Sequence, residues 1–170
     1  MNNYYVKYSF LAILLVLTQV LILNNILFLG FLNPIVYIIF VFVYPIKKNK
    51  TSLLLFSFFL GLAIDFFSNS GGSNTAAILF IAYFRLTVLD LIQNNIEFDY
   101  LLFNIKKLNF TQLSIYVFIM TLIHHFILFY LEHYSLNRIV YILTNAFYTS
   151  IFTSIIIGFS LSLFVKNNNS

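Results

Sequence analysis

Six apolar runs separated by short polar breaks set the frame of the chain, at residues 8–23, 31–46, 53–67, 75–92, 112–131 and 139–164. A helix rises about 1.5 Å per residue and a bilayer core is about 30 Å thick, so runs of this kind predict membrane-crossing helices. The expected fold class is therefore an all-α integral membrane protein, a single six-helix domain over 1–170. The breaks carry turn chemistry. Asn33-Pro34 offers an N-cap followed by proline at the first helical position, Tyr44-Pro45 ends the same run, and Ser68 to Asn74 holds Gly71 and Gly72 side by side. The second run has sixteen residues, or about 24 Å as a helix. It is expected to sit upright, to thin the bilayer locally or to be partly re-entrant.

Composition narrows the class further. Apolar residues make up 61% of the 170 and charged residues 8%, which leaves no stretch able to form a soluble core of its own. The chain has no cysteine, so disulfides and thiolate metal sites are excluded. A net charge of +4 is spread over several loops and gathers into no basic stripe, which argues against nucleic acid. Its distribution orients the protein instead. With both termini on one side, Lys7, Lys47, Lys48, Lys50, Lys106, Lys107 and Lys166 share that side, and Arg138 lies opposite. The positive-inside rule makes that side cytoplasmic. The first run reads as an uncleaved anchor, because no small-residue cleavage pattern follows at Leu23-Asn24-Asn25. Tyr5, Tyr44, Tyr100 and Tyr116 are expected at the inner interface, and Tyr130, Tyr134 and Tyr141 at the outer one. The mixed stretch from Asn94 to Phe110 suits an amphipathic segment on the cytoplasmic leaflet or against a partner.

Ionisable residues inside apolar runs are costly and mark functional or structural sites. Asp65 and Arg85 are two of these, flanking the polar turn. Counting from the inner ends, Asp65 lies about 18 Å up the third run and His124 and His125 about 18–20 Å up the fifth, with Asn145 close to that level and Gln19 somewhat lower. This predicts a polar layer in the outer half of the bundle. Arg85 is expected to point inward, away from Asp65.

The fifth run contains all three histidines, His124, His125 and His133, together with Glu132. Helix-borne zinc sites of hydrolases use histidines four residues apart with a glutamate between them, and that spacing is absent. His125 and Glu132 share a face but lie about 10 Å apart along the axis, too far for one metal. Neighbouring histidines diverge by about 100°, so His124 and His125 are expected to address two neighbouring helices, or one helix and lipid. No nucleophile elbow or phosphate-cradling glycine loop is visible. The residues predict a non-enzymatic protein with no cofactor.

Three stretches together resemble the rod shape-determining protein MreD family. They are Asn33-Pro-Ile-Val-Tyr-Ile-Ile-Phe-Val-Phe-Val-Tyr-Pro45; Gly61-Leu-Ala-Ile-Asp-Phe-Phe-Ser68 with the turn through Gly71 to Asn74, Ala76-Ala77 and Arg85; and Ile123-His-His-Phe-Ile-Leu-Phe-Tyr-Leu-Glu132. The resemblance runs along nearly the whole chain. It implies six helices in the bacterial inner (cytoplasmic) membrane and a fold similar to the substrate-binding subunits of energy-coupling-factor transporters. It also implies a place in the elongation complex of lateral cell-wall synthesis. The partners implied are MreC, the actin-like MreB, and RodA with its transpeptidase. Asn33, Pro34, Gly61, Asp65 and Arg85 match recurring family positions, and His124, His125 and Glu132 match the fifth-helix motif. Where relatives commonly carry proline after the arginine, Leu86 stands here, which lets the fourth helix run straight on to Leu91.

The leading expectation is thus a membrane scaffold that binds MreC and supports cell-shape control and lateral peptidoglycan synthesis. The alternative from another class is a small-molecule-binding transporter subunit, with polar residues at one depth lining a pocket.

Overall fold

The computed structural model describes residues 2–26, 28, 32–45, 50–93, 108–133 and 138–166. Among them every regular element is helical. Helix α1 spans Asn2–Leu17 and continues through a π turn, Thr18–Ile22, into a 3-10 turn, Leu23–Asn25. A short helix α2 covers Ile39–Val43, and four long helices follow: α3 (Lys50–Ser68), α4 (Ser73–Gln93), α5 (Phe110–His133) and α6 (Ile139–Lys166). Among the described residues five helices are long and apolar enough to cross a bilayer, counting α1 with its extension, so the chain is a multi-pass membrane protein. Each packs on its sequence neighbour from α3 to α6, while α1 lies against α3. Helix α4 is unbroken past Arg85 and Leu86, as the missing proline predicts.

The second run departs from expectation. Asn33-Pro34 does not start a helix: residues 33–36 are extended, a turn follows at 37–38, and only Ile39–Val43 is helical. A helix of this length would fall short of the bilayer, whereas extended backbone advances about 3.3 Å per residue. The middle of the segment is enclosed. Ile38, Phe40 and Val41 have no exposed surface, and Tyr37, Phe42 and Tyr44 have almost none. Non-helical backbone at membrane depth survives only where protein satisfies its polar groups. Gln19, 1% exposed in the π turn, does so: its Oε1 accepts from the Val36 N–H at 2.8 Å, and its Nε2 donates to the Pro34 carbonyl at 3.2 Å. The Ile35 N–H reaches Thr153 Oγ1 on α6 at 3.4 Å. At the chain's entry to this segment, Phe28 and Leu32 exchange two backbone hydrogen bonds of 2.8 Å.

An aromatic cluster seats α1 on the other end of the segment. The Tyr8 ring lies 5.0 Å from that of Tyr44 and 6.4 Å from that of Phe40, and Phe56 of α3 stands 5.8 Å from Phe40. Tyr44 and Tyr116 are therefore core residues rather than members of an interfacial belt, while Tyr5, Tyr130 and Tyr141 are exposed. The belt positions Tyr100 and Tyr134, the basic turn at Lys47 and Lys48, and most of the stretch from Asn94 to Phe110 lie outside the described residues.

Candidate functional site

The site grows from the α3–α4 hairpin. At the end of α3, Asn69 takes a left-handed conformation (φ 53°) and the Ser70 N–H reaches back to the Asp65 carbonyl at 3.2 Å, a Schellman ending. Gly71 (φ 64°) and Gly72 (φ 97°) then turn the chain in conformations that a β-carbon would strain. The turn delivers the first N–H groups of α4 onto a carboxylate. Asp65 Oδ1 accepts from the Ser70 hydroxyl, the Asn74 N–H (3.0 Å) and Asn74 Nδ2 (3.0 Å), and its Oδ2 accepts from the Thr75 N–H (2.8 Å) and the Thr75 hydroxyl. A helix start leaves N–H groups without intrahelical partners and carries partial positive charge. Asp65 meets both needs from the preceding helix.

From this hub a hydrogen-bonded chain crosses the bundle. Asn74 Nδ2 also donates to Ser70 Oγ at 2.8 Å, so its Oδ1 is the acceptor and takes the Tyr37 hydroxyl proton at 2.7 Å. The Tyr37 oxygen then receives His124 Nε2, 2.9 Å away. Because the single tyrosine proton is already committed, the His124 proton sits on Nε2, and its buried Nδ1 has no partner among the described residues. His125 faces the other way. Its Nδ1 donates to the Thr121 carbonyl at 2.7 Å and its Nε2 lies 3.4 Å from Thr153 Oγ1. Both histidines are fully buried and address different neighbours, the crossing segment and α6.

Arg85 belongs to a separate joint. It is 4% exposed, and its Nη1 donates to the carbonyls of Val41 (3.0 Å) and Tyr44 (2.9 Å) while Nη2 donates to that of Pro45 (3.2 Å). These are the open carbonyls at the end of α2, where a cation is favoured. Asp65 and Arg85 do not pair: Thr75 and Arg85 are ten residues, or about 15 Å, apart along α4. Each charge instead closes a helix end.

Between the turn end of α3, the end of α5 and the π and 3-10 turns lies a cavity of about 400 Å³. Asn33, Tyr37 and Asn74 line it, and Glu132 stands exposed beside it. Pro34 meets Gln19 through its carbonyl, and Gly71 contributes only its turn conformation. Gly61 is a close-approach glycine on α3, packed against Thr75 of α4, and does not itself line the cavity. Asn145 is half-buried and stands apart from the hydrogen-bonded chain. Sequence reasoning missed Tyr37, Asn74, Thr75 and Thr153. The available signal was the row of hydroxyl and amide groups in Ser70, Asn74 and Thr75 within ten residues of a membrane-embedded aspartate. Among the described residues no three His, Asp or Glu side chains gather as metal ligands. No protein-family model, curated protein or solved structure matches the chain.

Proposed function

We propose that this protein is a non-enzymatic scaffold of the MreD type in the bacterial cytoplasmic membrane. In this reading it binds MreC and, with MreB, RodA and its transpeptidase, supports lateral peptidoglycan synthesis. The observation that carries the reading is the use made of the resembling residues. Gly61 and Asp65 close the α3–α4 hairpin, Arg85 ties α4 to the crossing segment, and His124 ties α5 to the same segment. Residues spent on joints suit a frame that holds surfaces for partners. The charge asymmetry supports both termini in the cytoplasm, with residues 32–45 as the return crossing that makes six. The α3–α4 turn then faces outward, within reach of a partner outside the membrane.

The test is co-purification from native membranes in mild detergent, comparing wild type with Asp65→Ala and Arg85→Ala at matched expression. Recovery of MreC and the wall-synthesis enzymes with wild type, and their loss from a variant that still inserts, is the expected result. Absence of every wall-synthesis protein, under conditions that preserve other membrane complexes, would overturn the reading. A second reading, a small-molecule-binding transporter subunit, is favoured by the 400 Å³ cavity, and a specific co-purifying ligand without wall partners is its signature.

A further inference from the structure

We infer that the cavity at the turn end of the bundle is a binding site for a small organic cation, an alkylammonium or guanidinium compound. Its volume, about 400 Å³, lies in the range of small-molecule sites and exceeds what a bare metal ion fills. The walls are mixed. Ile35, Ile64 and Leu128 offer apolar surface for an alkyl chain, and Asn33, Asn24 and Glu132 offer acceptors. Two of these acceptors stand open. Asn33 Oδ1 is buried without a hydrogen-bond partner, which is costly away from water unless a ligand supplies a donor. The Glu132 carboxylate has no hydrogen bond or ion pair among the described residues.

The remaining polar groups are largely engaged with one another. Gln19 serves the crossing segment and Asn24, Asn24 Nδ2 donates to Ser68 at 2.8 Å, and Tyr37 and Asn74 belong to the chain from Asp65 to His124. No lysine or arginine is among the described lining residues, and Arg85 is committed to carbonyls at the far end of α4. The cavity thus joins a carboxylate and an unfilled acceptor with no basic group. Such a site attracts a cation that donates hydrogen bonds, and its carboxylate repels an anion. A lone carboxylate also falls short of the six or more oxygens that a calcium ion requires. This inference is independent of the scaffold reading, since it is read out by binding rather than by assembly.

The test uses the full chain in phosphatidylcholine nanodiscs, titrated calorimetrically with butylammonium, putrescine and agmatine, and with 1-butanol and butyrate as uncharged and anionic controls. At least one cation is expected to bind saturably and the two controls not at all. Glu132→Gln, which keeps the side-chain shape, is expected to weaken the cation about tenfold or more, the usual scale for a charge-assisted hydrogen bond. Asn33→Ala, read in the same way, provides the second variant, and thermal melting without ligand shows that each is folded. If the lipid headgroup is the natural source of the ammonium, phosphatidylethanolamine discs will block butylammonium in wild type. Three results would overturn the inference: no cation binds wild type, a control binds as well as butylammonium, or both folded variants bind like wild type.

Discussion

A β-carbon placed on Gly61 would come within 2.6 Å of the Thr75 Cα, closer than any side chain tolerates. The absence of that carbon lets α4 approach α3 backbone to backbone, and this approach is what brings the Thr75 N–H to within 2.8 Å of Asp65 Oδ2. Small residues serve the same purpose at other membrane helix contacts. Gly61→Ala is therefore expected to lower unfolding stability in detergent by about 1–3 kcal/mol through overpacking, despite alanine's better helix propensity. Wild-type stability in Gly61→Ala would show that α4 moves away freely.

Asp65 should be the most sensitive polar position of the hairpin. Removing its carboxylate strands the N–H groups of Asn74 and Thr75 in a buried site. Asp65→Ala is expected to cost about 1.5–3 kcal/mol, on the scale of hydrogen bonds to a charged group. Asp65→Asn keeps one acceptor and should cost less. Reversible unfolding in mixed micelles measures both, and equal losses would mean that the acceptor kept by asparagine contributes nothing.

Arg85 makes a different claim, because its planar fork meets three carbonyls at once. Lysine presents a point charge and cannot match that geometry. Arg85→Lys is expected to leave α3–α4 intact while accelerating amide exchange in Ile39–Val43 and Tyr44 by about tenfold, with Arg85→Met faster still. Exchange that rises equally throughout α3 and α4 would place the role of Arg85 in global stability instead.

Much of the architecture was legible from hydrophobic run length alone, because run length reports directly on membrane span. Asp65 beside the Gly71-Gly72 turn was visible for the same reason: a charge among apolar residues demands a partner. The second run misled because Asn33-Pro34 fits a helix start by local chemistry, whereas its backbone groups are satisfied from elsewhere. Gln19 lies fifteen residues before Pro34, and Thr153 lies 118 after Ile35. Neither separation leaves a local signature. Tyr37 was hidden by its own sidedness, since a tyrosine in an apolar run reads as belt or core until the partner of its hydroxyl is known.

Tyr37 and His124 provide the sharpest test of the buried chain, since their link depends on one oxygen. Tyr37→Phe keeps the ring, which packs edge-on against His124 at 5.4 Å, and removes the atom that accepts from His124 and donates to Asn74. Two buried groups then lose their partner, so the expected destabilisation is about 1–3 kcal/mol. His124→Ala should cost a comparable amount, and in the double variant the two losses should fall short of additivity by at least about 0.5 kcal/mol, as residues sharing one network do. The Asp65→Asn change, two hydrogen bonds further along, should couple to Tyr37→Phe more weakly than His124→Ala does. Strict additivity of Tyr37→Phe and His124→Ala would mean that the hydroxyl and the imidazole act independently, and that α5 is held to the crossing segment by packing alone.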